Sequence, residues 1–89
     1  MAKKNSLPKT IVITGAASGI GKHLVGVLVK KGYQIVATDI DEKALSSFVE
    51  SLNIPTQVFF KKLDVRNYEN WKEVFAFAED KLTTIGYIL

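Results

Sequence analysis

Three glycines, at positions 15, 19 and 21, lie within the eight residues TGAASGIG that follow the apolar run Ile11-Val12-Ile13. Glycine loses more backbone freedom on folding than any other residue, so such a cluster is costly unless the bare backbone has a use. One use is phosphate binding. Backbone N–H groups reach an anion most closely where no Cβ intervenes, and the unpaired N–H groups and dipole of a helix N-terminus favour negative charge. In that chemistry Gly15 makes the turn, Gly19 admits a pyrophosphate, and Gly21 allows close helix–strand packing. Asp39 follows Gly21 by eighteen positions, at the end of a second apolar run. A carboxylate there is placed to accept hydrogen bonds from a ribose hydroxyl. A different phosphate loop, G-x-x-x-x-G-K-[ST], does not fit: its first glycine falls on Ala16 and its hydroxyl on His23.

These residues need elements to hold them. Residues 1 to 8 read as a flexible, polar lead-in ending at Pro8. TIVIT (10 to 14) is short and β-branched, as a buried parallel strand would be. After the glycines, Ile20, Leu24, Val27 and Leu28 recur at helical spacing, with Val25 and Val29 widening the stripe and Gly32 closing the helix. QIVATDI (34 to 40) is a second strand. Asp41 caps a second helix with an apolar face of Ala44, Leu45, Phe48, Val49 and Leu52. TQVFFKKLDV (56 to 65) is a third strand. Asn67 caps a third helix in which Tyr68, Trp71, Val74, Phe75, Ala78 and Leu82 are spaced for burial, and IGYIL begins a fourth strand. Strands alternating with helices imply a parallel sheet, and right-handed crossovers give the order 3-2-1, with a fourth strand beyond the first. The expected fold is therefore α/β and Rossmann-like, three-layered and truncated. Residues 9 to 89 form its N-terminal half, and the glycine turn sits at the carboxyl end of the central strand.

Composition bounds the partners. The chain has 89 residues, 47% hydrophobic and 24% charged, with net charge +3 and no cysteine. Three of its lysines fall in the first ten residues, and no basic stripe with interleaved aromatics follows, which argues against nucleic acid. No apolar run approaches the ~20 residues of a membrane span, and the absence of cysteine suits a reducing, cytoplasmic setting. The single histidine, His23, has no cysteine or acid spaced to join it in a metal site, and it reads as a solvated residue of the first helix.

The motifs resemble those of the short-chain dehydrogenases/reductases. Thr14, Gly15, Gly19, Ile20 and Gly21 match that family's T-G-x-x-x-G-I-G, and the match extends to Asp39 and to Leu63, Asp64 and Val65. The resemblance implies that the glycine loop holds the pyrophosphate of NAD or NADP. It also implies that the acid at Asp39 binds the adenosine ribose, and that Asp64 and Val65 contact the adenine. The family's activity would be hydride transfer between the nicotinamide and an alcohol or carbonyl substrate. Its NNAG stretch, catalytic serine and Tyr-x-x-x-Lys pair belong beyond Leu89, so no catalytic residue is assigned here and the chain reads as the cofactor-binding part. The alternative is a non-catalytic nucleotide-binding or interaction module.

Several residues carry two readings. Ser18 is placed to bond the cofactor or its own loop, and Thr14 reads as structural, steadying the turn with its hydroxyl. Asp64 is an adenine contact or a turn cap. Tyr68 precedes Lys72 by four residues, but it lies too early in the topology for the family's catalytic helix. Trp71, Phe75 and Phe77 read as core or interface. Asp39 repels a 2′-phosphate, and the positions where a compensating cation would be sought hold Ser18 and Ile40, so NAD is expected over NADP. Lys43, the nearest basic residue in sequence, should point along the second helix. A thin stability margin and an exposed fourth strand allow self-association.

Overall fold

The computed structural model describes residues 9–82 and 85–89, so the lead-in at 1 to 8 lies outside the described residues. The elements alternate: β1 (Thr10–Ile13), α1 (Gly19–Lys30), β2 (Gln34–Asp39), α2 (Glu42–Leu52), β3 (Val58–Lys62), α3 (Tyr68–Lys81) and β4 (Tyr87–Ile88). The four strands form one parallel sheet in the order β3-β2-β1-β4.

All four residues of β1 are buried, because both faces of the sheet are covered. The alternation of the strand sends them to two cores. Ile11 and Ile13 join Ile35 and Ala37 of β2 under Val25 of α1 and Leu45 and Val49 of α2. Val12 and Val36 face the other way, against Val74 and Ala78 of α3 and the buried Leu63 and Leu82. Two crossovers running in one direction thus place two helices on one face. The third returns past β1 and covers the other.

Helix ends follow local chemistry. The Asp41 and Asn67 side chains accept from the Ala44 and Asn70 amides, capping α2 and α3 as expected. Three expectations need correction. Ile20 is 86% exposed, and α1 buries Gly21 and Val25 instead. At about 100° per residue, Ile20 stands about 140° round the helix from Val25, at the first turn above the sheet end. Tyr68 is 73% exposed for the same reason, as the opening residue of α3, with the Lys72 ammonium over its ring. β3 is shorter than the apolar run. Before it, the Gln57 and Val58 amides both donate to the Ile54 carbonyl in a turn. After it, Asp64 curls back to accept from the Arg66 amide. In β4, Tyr87 and Ile88 pair with Ile11 and Val12 but stay largely exposed.

Candidate functional site

The β1–α1 turn begins at Gly15, whose φ of +67° lies in the left-handed region that favours glycine. The chain then folds back on itself. The Ser18 hydroxyl donates to the Gly15 carbonyl at 2.7 Å and accepts from the Gly21 amide at 3.0 Å, serving as the N-cap of α1. Ser18 is thus bonded to its own loop backbone, one of the two readings its position allows. Of the first helical amides, Ser18 satisfies that of Gly21. Those of Gly19 and Ile20 have no partner within the helix and stand at an exposed edge. Ile20 thus offers the candidate site an unpartnered backbone amide.

The glycines differ in what they make room for. A Cβ on Gly21 would run into the Gly15 carbonyl oxygen and lie 2.8 Å from the Ala16 Cα. The close packing is against the loop backbone just past β1, rather than against the strand itself. A Cβ on Gly19 would meet nothing within 4 Å. No protein atom requires glycine there, and the space beside it is open.

The loop is tied to the neighbouring strand. The Ala16 amide donates to the Thr38 carbonyl at 2.9 Å and the Ala17 amide to Asp39 Oδ2 at 3.0 Å. Asp39 Oδ1 accepts from the Asp41 amide at 3.0 Å. At the end of β3, Asp64 accepts from the Arg66 amide at 3.0 Å and from its guanidinium at 3.1 and 3.2 Å. These bonds, the side-chain ones first, hold the Asp64 carboxyl below its ordinary range and push the Arg66 guanidinium up. The turn is set from below: Asn70 Oδ1 accepts from the Asp64 amide at 2.7 Å, and Trp71 Nε1 donates to the Val65 carbonyl at 2.9 Å.

These strand ends enclose a cleft of about 210 Å³ lined by Thr14, Gly15, Asp39, Ile40 and residues 64 to 66. Most of the residues expected in the site line this cleft or the loop beside it. Thr14 is structural as expected, but its hydroxyl and amide both bond the Leu89 carbonyl, fastening β4 rather than the turn. His23 is exposed on α1. Arg66 was not anticipated. The expected cation positions hold Ser18 and Ile40, and Lys43 is the nearest basic residue in sequence, whereas Arg66 enters from the end of β3, two positions past Asp64. A larger cavity of about 450 Å³ lies at the outer edge of β3, between Ile54, Pro55, Phe59, Phe60 and Phe77. Its lining is mainly apolar, with Glu50 and Lys81 its charged members, and none of the residues that open α1 takes part in it. Among the described residues no three His, Cys, Asp or Glu side chains gather to hold a metal, and no helix is long and apolar enough to cross a membrane.

The sequence model of the short chain dehydrogenase family matches residues 9–89. Over 69 residues the chain is 36% identical to a D-xylose 1-dehydrogenase of Caulobacter vibrioides, covering 76% of this chain and 28% of that one. It is 39% identical over 67 residues to the 3-oxoacyl-[acyl-carrier-protein] reductase FabG of Thermotoga maritima, covering 74% of this chain and 27% of the relative. Among solved structures, a short-chain dehydrogenase/reductase from Burkholderia phymatum in complex with NAD superposes with a TM-score of 0.84 at 28% identity, over 91% of this chain and 29% of that one. A glucose/ribitol dehydrogenase from Brucella melitensis gives a TM-score of 0.85 at 28% identity, over 97% of this chain and 37% of that one. The chain thus spans 28% of the D-xylose dehydrogenase and 27% of the reductase.

Proposed function

The chain belongs to the short-chain dehydrogenase family, whose Rossmann-like amino-terminal portion it carries, and on that footing we propose that its glycine loop binds NAD in preference to NADP. The observation that carries the proposal is the exposed first turn of α1, where the Gly19 and Ile20 amides have no partner within the helix and a Cβ on Gly19 would meet nothing within 4 Å. A pyrophosphate would be held there by those amides and the dipole of α1, with Gly15 and Gly21 keeping the turn compact. The adenosine ribose would lie against Asp39, and the adenine in the cleft by Asp64 and Val65. When bound, the nicotinamide supplies or accepts the hydride. The whole protein is proposed to act as an oxidoreductase on an alcohol or carbonyl substrate.

The preference for NAD is electrostatic. A 2′-phosphate would meet the Asp39 carboxylate, with Asp41 adding negative charge two residues on. The Arg66 guanidinium reaches the same cleft, but both its Nε and its Nη2 are engaged by Asp64. Calorimetric titration of the chain with NAD and with NADP tests the assignment. NAD is expected to bind more tightly, and tighter binding of NADP would overturn it.

A further inference from the structure

A loop containing Gly15 and Gly19 has to be ordered before it can present amides to an anion, and that ordering is paid either on folding or on binding. Here the loop is ordered by β2. The Thr38 carbonyl accepts from the Ala16 amide at 2.9 Å, and the buried Thr38 hydroxyl donates to the Ile13 carbonyl at 2.8 Å. The next bond out comes from the Asp39 side chain, whose Oδ2 takes the Ala17 amide at 3.0 Å while Oδ1 takes that of Asp41 at 3.0 Å. Only Ser18, the cap of α1, separates Ala17 from Gly19. A charged acceptor at Ala17 therefore restrains the residue that fixes where α1 starts and where its free amides point.

We propose that Asp39 is a positioning residue for the glycine loop, bracing Ala17 through one carboxylate oxygen, in addition to any contact with a ribose. The consequence for cofactor affinity rests on the pyrophosphate reading above; the brace itself does not. Charge and acceptor are separable functions of this side chain. Asparagine retains a carbonyl oxygen that can stand in the place of Oδ2, and its amide nitrogen then falls opposite the Asp41 amide, which water can reach. Alanine removes both. Replacing Asp39 by a small apolar residue to relieve repulsion of a 2′-phosphate would therefore loosen the loop and weaken both cofactors, whereas asparagine would relieve the repulsion alone.

The test is amide hydrogen exchange, read by NMR on the uncomplexed 89-residue chain and its Asp39→Asn and Asp39→Ala variants. Asp39→Ala is expected to speed exchange at Ala17 about tenfold or more, with the Ile13 and Val36 amides in the β1–β2 ladder unchanged. Asp39→Asn should stay near the parent. Unchanged exchange at Ala17 in the alanine variant, or equal acceleration at Ile13 and Val36, overturns the brace. In parallel, NAD and nicotinamide mononucleotide, which has a phosphate but no adenosine ribose, are titrated into both neutral variants. Both ligands should bind more weakly to Asp39→Ala than to Asp39→Asn. Equal binding of the mononucleotide to the two variants would confine the effect of Asp39 on affinity to the ribose and overturn the consequence drawn for the cofactor, while the exchange result decides the brace. If the parent chain binds neither ligand, the pyrophosphate reading fails, and the exchange result still decides the brace.

Discussion

Gly21→Ala should be far more damaging than Gly19→Ala, although both place a methyl group in the first turn of the same helix. At position 21 the new Cβ lies 2.8 Å from the Ala16 Cα and 2.9 Å from the Gly15 carbonyl carbon, and it runs into the Gly15 carbonyl oxygen. Those distances fall roughly 0.6–0.7 Å short of carbon–carbon contact at ~3.5 Å. The atoms struck are backbone, and they are held by the bonds from Ser18 to Gly15 and from Ala16 to Thr38. Either α1 lifts off or the loop opens. Overpacking strain of ~1–3 kcal/mol and loss of the Ser18 cap at ~1 kcal/mol are offset by ~1 kcal/mol of helix propensity gained over glycine. The net expectation is a destabilisation of ~1–3 kcal/mol, a large share of the margin of a domain this size. At position 19 the methyl meets nothing, so stability should be unchanged or slightly raised. Equilibrium denaturation in urea, comparing midpoints at constant slope, measures both variants. A Gly21→Ala protein within ~0.5 kcal/mol of the parent would show that the loop is softer than its hydrogen bonds imply.

Ser18→Ala removes the cap to the Gly21 amide and the bond to Gly15, and should cost ~1 kcal/mol in the same denaturation assay. Arg66→Ala should raise the Asp64 carboxyl towards its ordinary range, visible as a shifted midpoint in an NMR titration of the Asp64 side chain. Because the folded value is depressed, the pair's contribution is present above the ordinary carboxylate range and is lost as pH falls through the folded value. The variant should be slightly less stable than the parent at neutral pH, by the small amount that befits an exposed pair, and the two should converge as pH falls through the folded value.

The order of elements and the strand order were legible because hydrophobic period and turn chemistry agree at nearly every junction. β1 alternates between two cores, Asp41 and Asn67 cap their helices, and Gly15 and Gly32 occupy the two turns where a glycine takes positive φ. Side-chain direction at helix starts was not legible. Periodicity describes a stripe, but it does not say how far the first turn projects beyond the sheet, which is why Ile20 and Tyr68 are exposed. Hydrogen-bond partners were also hidden. Asp39 and Ala17 are 22 residues apart and meet only because β2 lies beside β1. Arg66 was missed because a cation reaching the cleft from β3 leaves no signal near Asp39 in sequence. Gly19 was readable only by motif, and the open space beside it is what distinguishes it physically from Gly21.

The most direct test is a calorimetric titration of NAD into the parent chain and into Gly19→Val. The valine side chain starts in open space, so the protein should fold as before, with circular dichroism and the denaturation midpoint close to the parent. It would nevertheless fill the position from which the Gly19 and Ile20 amides reach a pyrophosphate. The account predicts measurable binding to the parent and a loss of about a hundredfold or more in the variant, the equivalent of ~2.7 kcal/mol or above. Equal affinity in the two proteins would contradict it.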